Sequence, residues 1–588
     1  MNQRLHKLRQ AIADAGVDAY IIFNTDPHSC EYVPDDFLVI KHLCGFTGDN
    51  ATVVVTQTFA GLWTDSRFYI SGTEELKDSD VKLMKSTEST FLSWLQANLR
   101  ERAVVAFDGR CTTASVYFDI KKKLVNAPLN IVLNGKLDLT PSFWTDRPKG
   151  LVSKVYAIDD NFAGLSAKEK FKLLESKIKD ENATTLLTSD LAEIAWLLNL
   201  RASDISYCPV FKAFMIIGCN GSRVLFTDQS RFDKNISDYL ADIGVVVCDY
   251  DSIYTALSHL PAKTSIIVDV NSASAELYYS IHPDCKIIEH RSPIQLMKAC
   301  KNDIELANIR KTMVVDGVAM EKFFYWLETQ LANSKSVTEL DAAAKLLEYR
   351  EQGEHFISES FECISAFNQH SAMPHFAPDK NNNLLLQKDG VYLVDSGGHY
   401  FTGTTDLTRV IPTGKISDDF AIDYTLVLKA MANISMAVFP EKTTGSAIDA
   451  IGRVHLWKHG KDFGHGTGHG VGFCLNVHEG PVSISPGATR SKLQCGMVTS
   501  NEPGLYIEGK YGIRIENLLV VKHSDFEGFN NFETLTLCHI DTRPIRKELL
   551  NEEELNFINN YNKRAFDMLS PFLNKDEKEY LGNRTAKI

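Results

Sequence analysis

No Cys-x-x-Cys pair occurs among the twelve cysteines scattered from Cys30 to Cys538, so neither a zinc knuckle nor a disulfide framework is indicated. A reducing cytoplasm suits that usage. No apolar stretch approaches the roughly 20 residues needed to span a bilayer, which speaks against a membrane protein. The opening residues, Met1 to Leu8, lack the apolar core of a signal peptide. There is also no long run of Lys or Arg. At a formal net charge of −13 the chain is a poor nucleic-acid binder, because affinity for polyphosphate depends on basic side chains displacing counterions.

Hydrophobic residues make up 44% and charged residues 23% of 588, the composition of a soluble globular protein with about three or four domains. Leu5, Leu8 and Ile12, followed by Gly16, read as an amphipathic helix with a glycine stop. Buried-strand patterns at 19–23, 52–55 and 104–107 alternate with helical stretches such as 90–100, which predicts an α/β domain over residues 1–150. A second α/β domain, 151–292, repeats the style, with a helix start capped by Ser166 and strands at 214–217 and 265–268. The two share no repeat period, so duplication is suggested by pattern only. The third region, 293–588, has α+β character. It opens on one long helical pattern from Pro293 to about Gln330. After Phe356, short apolar runs punctuated by Gly, Asn, Asp and Pro predict a curved, mostly antiparallel sheet, and the last 50 or so residues read as a helical extension.

The chemistry concentrates in that third region. The apolar run 391–394 ends in Asp395, and Asp406 opens another through Val410 and Ile411. Two strands joined by a loop could set these carboxylates side by side, where a divalent cation would relieve their repulsion; equally, each Asp could cap a turn. In the string 464–472, five glycines alternate with other residues, which excludes a helix and with it a helical zinc site. The glutamate of His-Glu-x-x-His is missing, and so is Gly-x-Gly-x-x-Gly. The string leaves His465 and His469 on a strand or loop. Further on, alternation places Ile513 and Ile515 on one face and Arg514 and Glu516 on the other, so the charged pair is buried, as a metal site or as a plain Arg–Glu ion pair. With Glu502, four carboxylates and one imidazole are available. Such an oxygen-rich set favours Mn²⁺, with Fe²⁺, Co²⁺ or Zn²⁺ as alternatives.

The sequence resembles the three-domain Xaa-Pro aminopeptidases (aminopeptidase P) of the pita-bread metallopeptidase fold. The catalytic likeness lies in Asp395-Ser396-Gly397-Gly398, Gly403 to Arg409, His465 to Gly472, Asn476 to Pro481, Glu502-Pro503-Gly504 and Ile513 to Asn517. It continues upstream at Trp63 to Arg67, Ile194 to Arg201 and Pro209-Val210-Phe211, and so spans nearly the whole chain. The resemblance implies two creatinase-N-terminal-like α/β domains followed by a pita-bread catalytic domain. It implies two divalent ions, one on Asp395, Asp406 and Glu516 and the other on Asp406, His469, Glu502 and Glu516, with an activated water between them. Glu502 would handle the proton. His375, His465 and His478 would line the cleft and assist catalysis, and Arg514 joins them as a substrate-binding residue. The implied activity is release of the residue before a proline at position two, by a cytoplasmic homodimer acting on peptides. The rivals are a prolidase with the same metal site, a metal-free peptide-binding protein of the same fold, and a creatinase-like amidinohydrolase. Phe376 stands where the family often has Tyr, Thr402 where Asp is common and Ser66 where Gly is usual. These departures touch no ligand, and they bear on substrate preference.

Overall fold

A computed structural model describes residues 3–126 and 129–588. They fall into two compact units, 1–158 with 165–295, and 159–164 with 296–588. Among the described residues no helix is long and apolar enough to cross a membrane.

The first unit holds two six-stranded sheets. In one, Ala19–Phe23 pairs antiparallel with Thr52–Val55 and parallel with Val104–Ala106; Ala60–Thr64 and Lys82–Lys85 extend one side and Val132–Asn134 the other. In the second, Thr185–Thr188 plays the central part, antiparallel to Phe214–Gly218 and parallel to Ser265–Val268. Arg223–Phe226, Val246–Cys248 and Lys286–Glu289 complete it. Strand order and every pairing sense are the same in the two sheets, so the similarity that the sequence only hinted at is one of topology. Local signals act as expected. The helix Gln3–Asp14 buries Leu5, Leu8 and Ile12, and Gly16 turns the chain at φ 65°. Ser166 and Glu169 form a reciprocal capping box on Ala167–Asp180.

The second unit corrects one expectation. The single helix predicted from Pro293 to about Gln330 is two, Pro293–Ala299 and Asp303–Ala332. At the junction Cys300 makes an antiparallel bridge to Met497, and the Lys301 N–H donates to Gly496 O at 3.0 Å. Asn302 caps the second helix, accepting from the N–H groups of Ile304 and Glu305, while Glu305 accepts from the Asn302 N–H. Helix propensity alone would carry the helix through. Here Cys300 and Lys301 meet the 496–497 segment and the Asn302 N–H turns to Glu305, which no local pattern reports.

Beyond these helices all sheets of the unit are antiparallel. Ile364–Phe367, Val391–Ser396 and Leu407–Pro412 form one. A larger one runs Val438–Pro440, Phe529–Thr534, Asn517–His523, Val498–Asn501, Gly468–Gly470, Glu479–Ile484. The hairpin Gly504–Ile507/Tyr511–Arg514 adds two more strands. Helices Glu552–Leu569 and Lys575–Arg584 make the C-terminal extension.

One fully buried side chain ties these pieces together. Arg409 donates to the carbonyl oxygens of Thr408, Glu516, Cys538 and His539, to Asn517 Oδ1 and to the Tyr561 hydroxyl, at 2.5–2.9 Å. It thereby joins the smaller sheet, the segment before Asn517, the chain after the larger sheet and the C-terminal helix. Replacing it by methionine strands several buried acceptors at once, each costing about 1–3 kcal/mol. Arg409→Met is therefore expected to lower the urea midpoint of the second unit strongly, as followed by circular dichroism. An unchanged midpoint would show that the hub is dispensable.

Candidate metal centre

Register brings the first two acids together. Asp395 lies opposite Thr408 across paired strands, and Asp406 immediately precedes the second of them. Both are buried, at 6% and 4% exposure, as is Glu516 at 1%. Glu516 sits just before Asn517–His523, and its backbone N–H donates to Thr408 O at 3.2 Å. His469 is the middle residue of the short strand Gly468–Gly470, and Glu502 follows the neighbouring strand Val498–Asn501. The glycines flanking His469 are there for strand approach. A Cβ on Gly468 would lie 2.1 Å from Ser500 O, and one on Gly470 would lie 2.1 Å from Glu479 O.

These donors converge. His469 Nε2 lies 3.3 Å from Asp406 Oδ2 and 3.3 Å from Glu502 Oε1. Asp406, His469 and Glu516 each offer one atom to a group in which all lie within 4.8 Å of one another. The His469 Nδ1–H donates to Gly470 O at 2.9 Å, which leaves Nε2 with its lone pair facing the acids. Asp395 Oδ2 accepts from Arg514 at 2.6 and 2.9 Å, and Glu516 Oε2 accepts from the Thr408 hydroxyl at 2.7 Å. The other oxygen of each, Asp395 Oδ1 and Glu516 Oε1, is buried without a hydrogen-bond partner. A bare buried carboxylate oxygen is costly unless a cation meets it.

The chain offers a second candidate cluster, Glu321, Cys538 and His539, fully buried. Distances separate the two. Donors each about 2.1 Å from one cation and roughly 90–110° apart stand about 3.0–3.4 Å from each other. The 3.3 Å contacts around His469 fit that spacing, whereas His539 Nδ1 and Glu321 Oε2 lie 2.7 Å apart, a direct hydrogen bond. The residues around His469 suit metal ions; both oxygens of Glu321 are already taken by the ring Nδ1–H and the backbone N–H of His539.

Arg514 and His465, both expected to meet the substrate, are engaged within the protein. Arg514 does not stand free. It is 3% exposed, its Nε and Nη2 hold Asp395, Nη1 donates to the Tyr506 hydroxyl at 2.6 Å, and Nη2 also reaches Pro374 O at 3.3 Å. Nor does it pair with Glu516, as the ion-pair alternative required. His465 also has both nitrogens engaged: Nδ1–H donates to Gly466 O at 2.7 Å and Nε2 accepts from Tyr506 at 2.8 Å. Burial, the nearby Arg514 charge and His375 push its pKa down to about 3, so the ring is neutral and braces the loop. Tyr506 thus links His465 to Arg514, a contact that sequence reasoning missed; its one signal is its place in the hairpin strand next to Glu502-Pro503. Asp449 and Arg453 were missed as well. Arg453 donates to His465 O and Phe463 O at 2.7 Å, and Asp449 accepts from the Thr467 hydroxyl at 2.6 Å. His478 stands perpendicular to His469 with ring centroids 4.3 Å apart. His375 is exposed, next to the Pro374 carbonyl that Arg514 holds.

The crowded acids shift one another. Burial, with Asp406 and Glu502 adding, pushes Asp395 up to about 6 against the opposing pull of Arg514. Burial, then Asp406, Asp395 and Glu502, raises Glu516 well above the carboxylate range. In chelated protein these groups keep protons that the unfolded chain releases from about pH 4 upward, so folded stability is highest below that range and declines as pH rises through 6. For Asp395 alone the loss is on the order of 3 kcal/mol. Thermal midpoints of chelated protein should fall between pH 4.5 and 7.5, and Mn²⁺ added at pH 7.5 should restore them. A flat profile with and without metal would contradict this electrostatic picture.

Comparison with known proteins agrees with this geometry. Residues 307–523 match the model of metallopeptidase family M24, and 528–588 match the C-terminal region of that peptidase. Residues 4–133 and 146–305 match creatinase/prolidase N-terminal domains. The chain is 34% identical to Xaa-Pro aminopeptidase 1 of Dictyostelium discoideum, over 98% of this chain and 95% of that one. It is 36% identical to a probable Xaa-Pro aminopeptidase P of Aspergillus fumigatus, over 100% and 92%. Its fold superposes on the X-prolyl aminopeptidase of Caenorhabditis elegans, described as a cytosolic enzyme with a di-nuclear active site, with a TM-score of 0.95, 32% identity, and 100% and 99% of the two chains covered. The Xaa-Pro dipeptidase of Bacillus anthracis shares the fold over 64% of this chain, at a TM-score of 0.51 and 22% identity. With full-length likeness above 30%, the chain belongs to metallopeptidase family M24, among its three-domain Xaa-Pro aminopeptidases.

Proposed function

We propose that this chain removes the first residue of peptides with proline second by means of two divalent cations, manganese by preference, held in the acid cluster. Asp395, Asp406 and Glu516 would hold one, and Asp406, His469, Glu502 and Glu516 the other. The observation that carries this reading is the pair of bare oxygens on Asp395 and Glu516, beside an imidazole lone pair and two further carboxylates. When bound, such cations make water nucleophilic near neutral pH and polarise a carbonyl.

The chain's own groups supply the rest. The bond before proline is a tertiary amide without N–H, so recognition cannot use a hydrogen bond from that nitrogen and must grip its two sides. Glu502 is less enclosed than Asp395 and Asp406, its side chain 18% exposed, so it can take the proton of the attacking water and return it to the proline nitrogen. His375, exposed beside the segment that Arg514 anchors, is placed to donate to the oxygen that gains charge. His478 orients the peptide on the proline side. His465 and Arg514 act through others by fixing Tyr506 and Asp395.

In this reading the chain divides at about residues 150 and 292, the third part carrying all five donors. It works in the cytoplasm, as the C. elegans enzyme is described, and as a homodimer. Twelve cysteines without a disulfide suit that compartment.

Chelated protein supplied with Mn²⁺, Co²⁺, Fe²⁺ or Zn²⁺ should recover cleavage of Arg-Pro-Pro best with Mn²⁺. Glu502→Gln should lower kcat by about 10²–10⁴. Cleavage of an Xaa-Pro dipeptide but not of the tripeptide would make the protein a prolidase. Undiminished turnover by Glu502→Gln would remove that residue from the chemistry.

A further inference from the structure

Three buried charged side chains near the candidate centre have no part in the reaction just described. Glu479 is 4% exposed, and Lys298 and Lys301 are each 5% exposed. Lys298 Nζ donates to Glu479 Oε2 at 2.8 Å, and Lys301 Nζ donates to Oε1. The lysines come from the junction between the helices Pro293–Ala299 and Asp303–Ala332, where the Cys300–Met497 bridge and the Lys301–Gly496 bond fix the chain against the larger sheet. Each ammonium thus takes one carboxylate oxygen from a backbone that is itself held. A single ion pair would satisfy the charge of Glu479; two donors on separate oxygens also fix its orientation.

Glu479 is the first residue of the strand Glu479–Ile484 and directly follows His478. Its partner across the sheet is Gly470, the residue after His469, and that approach is close enough that Gly470 tolerates no Cβ. The pairing shifts register between His469 and Gly470, so the ladder alone does not set where His478 lies. The clamped Glu479 side chain adds a restraint one residue from His478, whose imidazole stands perpendicular to His469 with ring centroids 4.3 Å apart.

We propose that Glu479, clamped by Lys298 and Lys301, is a positioning residue that aims His478 at the peptide. The inference rests on the aminopeptidase reading and adds the group that keeps one of its cleft histidines in place. Removing either lysine leaves a one-to-one ion pair, so the fold persists while the carboxylate gains freedom to swing.

The test is a double-mutant cycle on cleavage of Arg-Pro-Pro by the metal-loaded full chain, combining Lys301→Met with His478→Ala. If the clamp acts through His478, Lys301→Met should lower kcat/KM about tenfold alone but less than about twofold once His478 is gone. Lys298→Met should behave alike. A brace with only a structural role gives the same loss in both backgrounds, and that additivity would overturn the proposal. Thermal midpoints accompany each variant. Should Lys301→Met not fold, Lys298→Met decides; should neither fold, the lysines are needed for folding itself and the proposal fails. An unmodified chain that leaves Arg-Pro-Pro intact refutes the aminopeptidase reading instead, so the two failures are distinct.

Discussion

Four carboxylates share one enclosed space, and that repulsion is the constraint to which the catalytic unit is built. At an effective dielectric near 20, two unit charges 4 Å apart repel by about 4 kcal/mol, and after burial itself the neighbouring acids help to raise the pKa of Asp395 and Glu516. The protein answers the charge only in part. Arg514 covers one oxygen of Asp395 and Thr408 covers one oxygen of Glu516. The uncovered oxygens are left to cations that bind the folded chain, so metal binding and stability of this unit are coupled.

Holding the acids still while they repel one another requires a scaffold whose own hydrogen bonds are complete. Asp395 and Asp406 sit at the ends of two paired strands, and Glu516 is joined by its backbone to Thr408 on the second of them. Arg409, the residue after Thr408, knots that strand to the carbonyl of Glu516 and to the C-terminal helix. From Asp395 the hydrogen-bonded chain Asp395–Arg514–Tyr506–His465 runs without a gap. A neutral His465 closes it, because a protonated ring would face Arg514 with like charge. Rigidity here is electrostatic as well as steric, which is the preorganisation that catalysis on a bound peptide needs.

Much of this was legible from local pattern, and the gaps have a common cause. Strand-ending acids, a glycine-spaced histidine pair and an alternating Ile-Arg-Ile-Glu segment pointed to Asp395, Asp406, His469 and the 513–516 face, and the fold brings Asp406, His469 and Glu516 within 4.8 Å of one another. Alternation reports a face but not a partner, so Arg514 could be placed on the buried side while its true companion, Asp395, lies 119 residues earlier. The same blindness hid Tyr506, Asp449 and Arg453, whose roles exist only through distant contacts. The helix break at Cys300–Asn302 escaped because its cause is Met497 and Gly496, far along the chain. The glycines around His469 excluded a helix but not more, and only the packed sheet shows that Gly468 and Gly470 make room for neighbouring strands.

What distinguishes a reactive carboxylate from a structural one in this fold is neither burial nor composition. Asp316 is as buried as any ligand candidate, yet Arg350 and Tyr400 occupy both of its oxygens. Glu339 accepts from Phe367 and Leu384 backbone and from His370. Glu479 has a lysine on each oxygen, and Glu321 has the ring and the backbone N–H of His539. Those acids are finished by the protein. Asp395 and Glu516 are left half finished in a place that water does not reach, as is Asp26 in the first unit, but Asp395 and Glu516 stand with two further carboxylates and an imidazole lone pair that a cation would join. Hydrogen-bond satisfaction, read oxygen by oxygen together with the neighbouring donors, therefore favours the cluster around His469 over the one around Glu321 among the described residues.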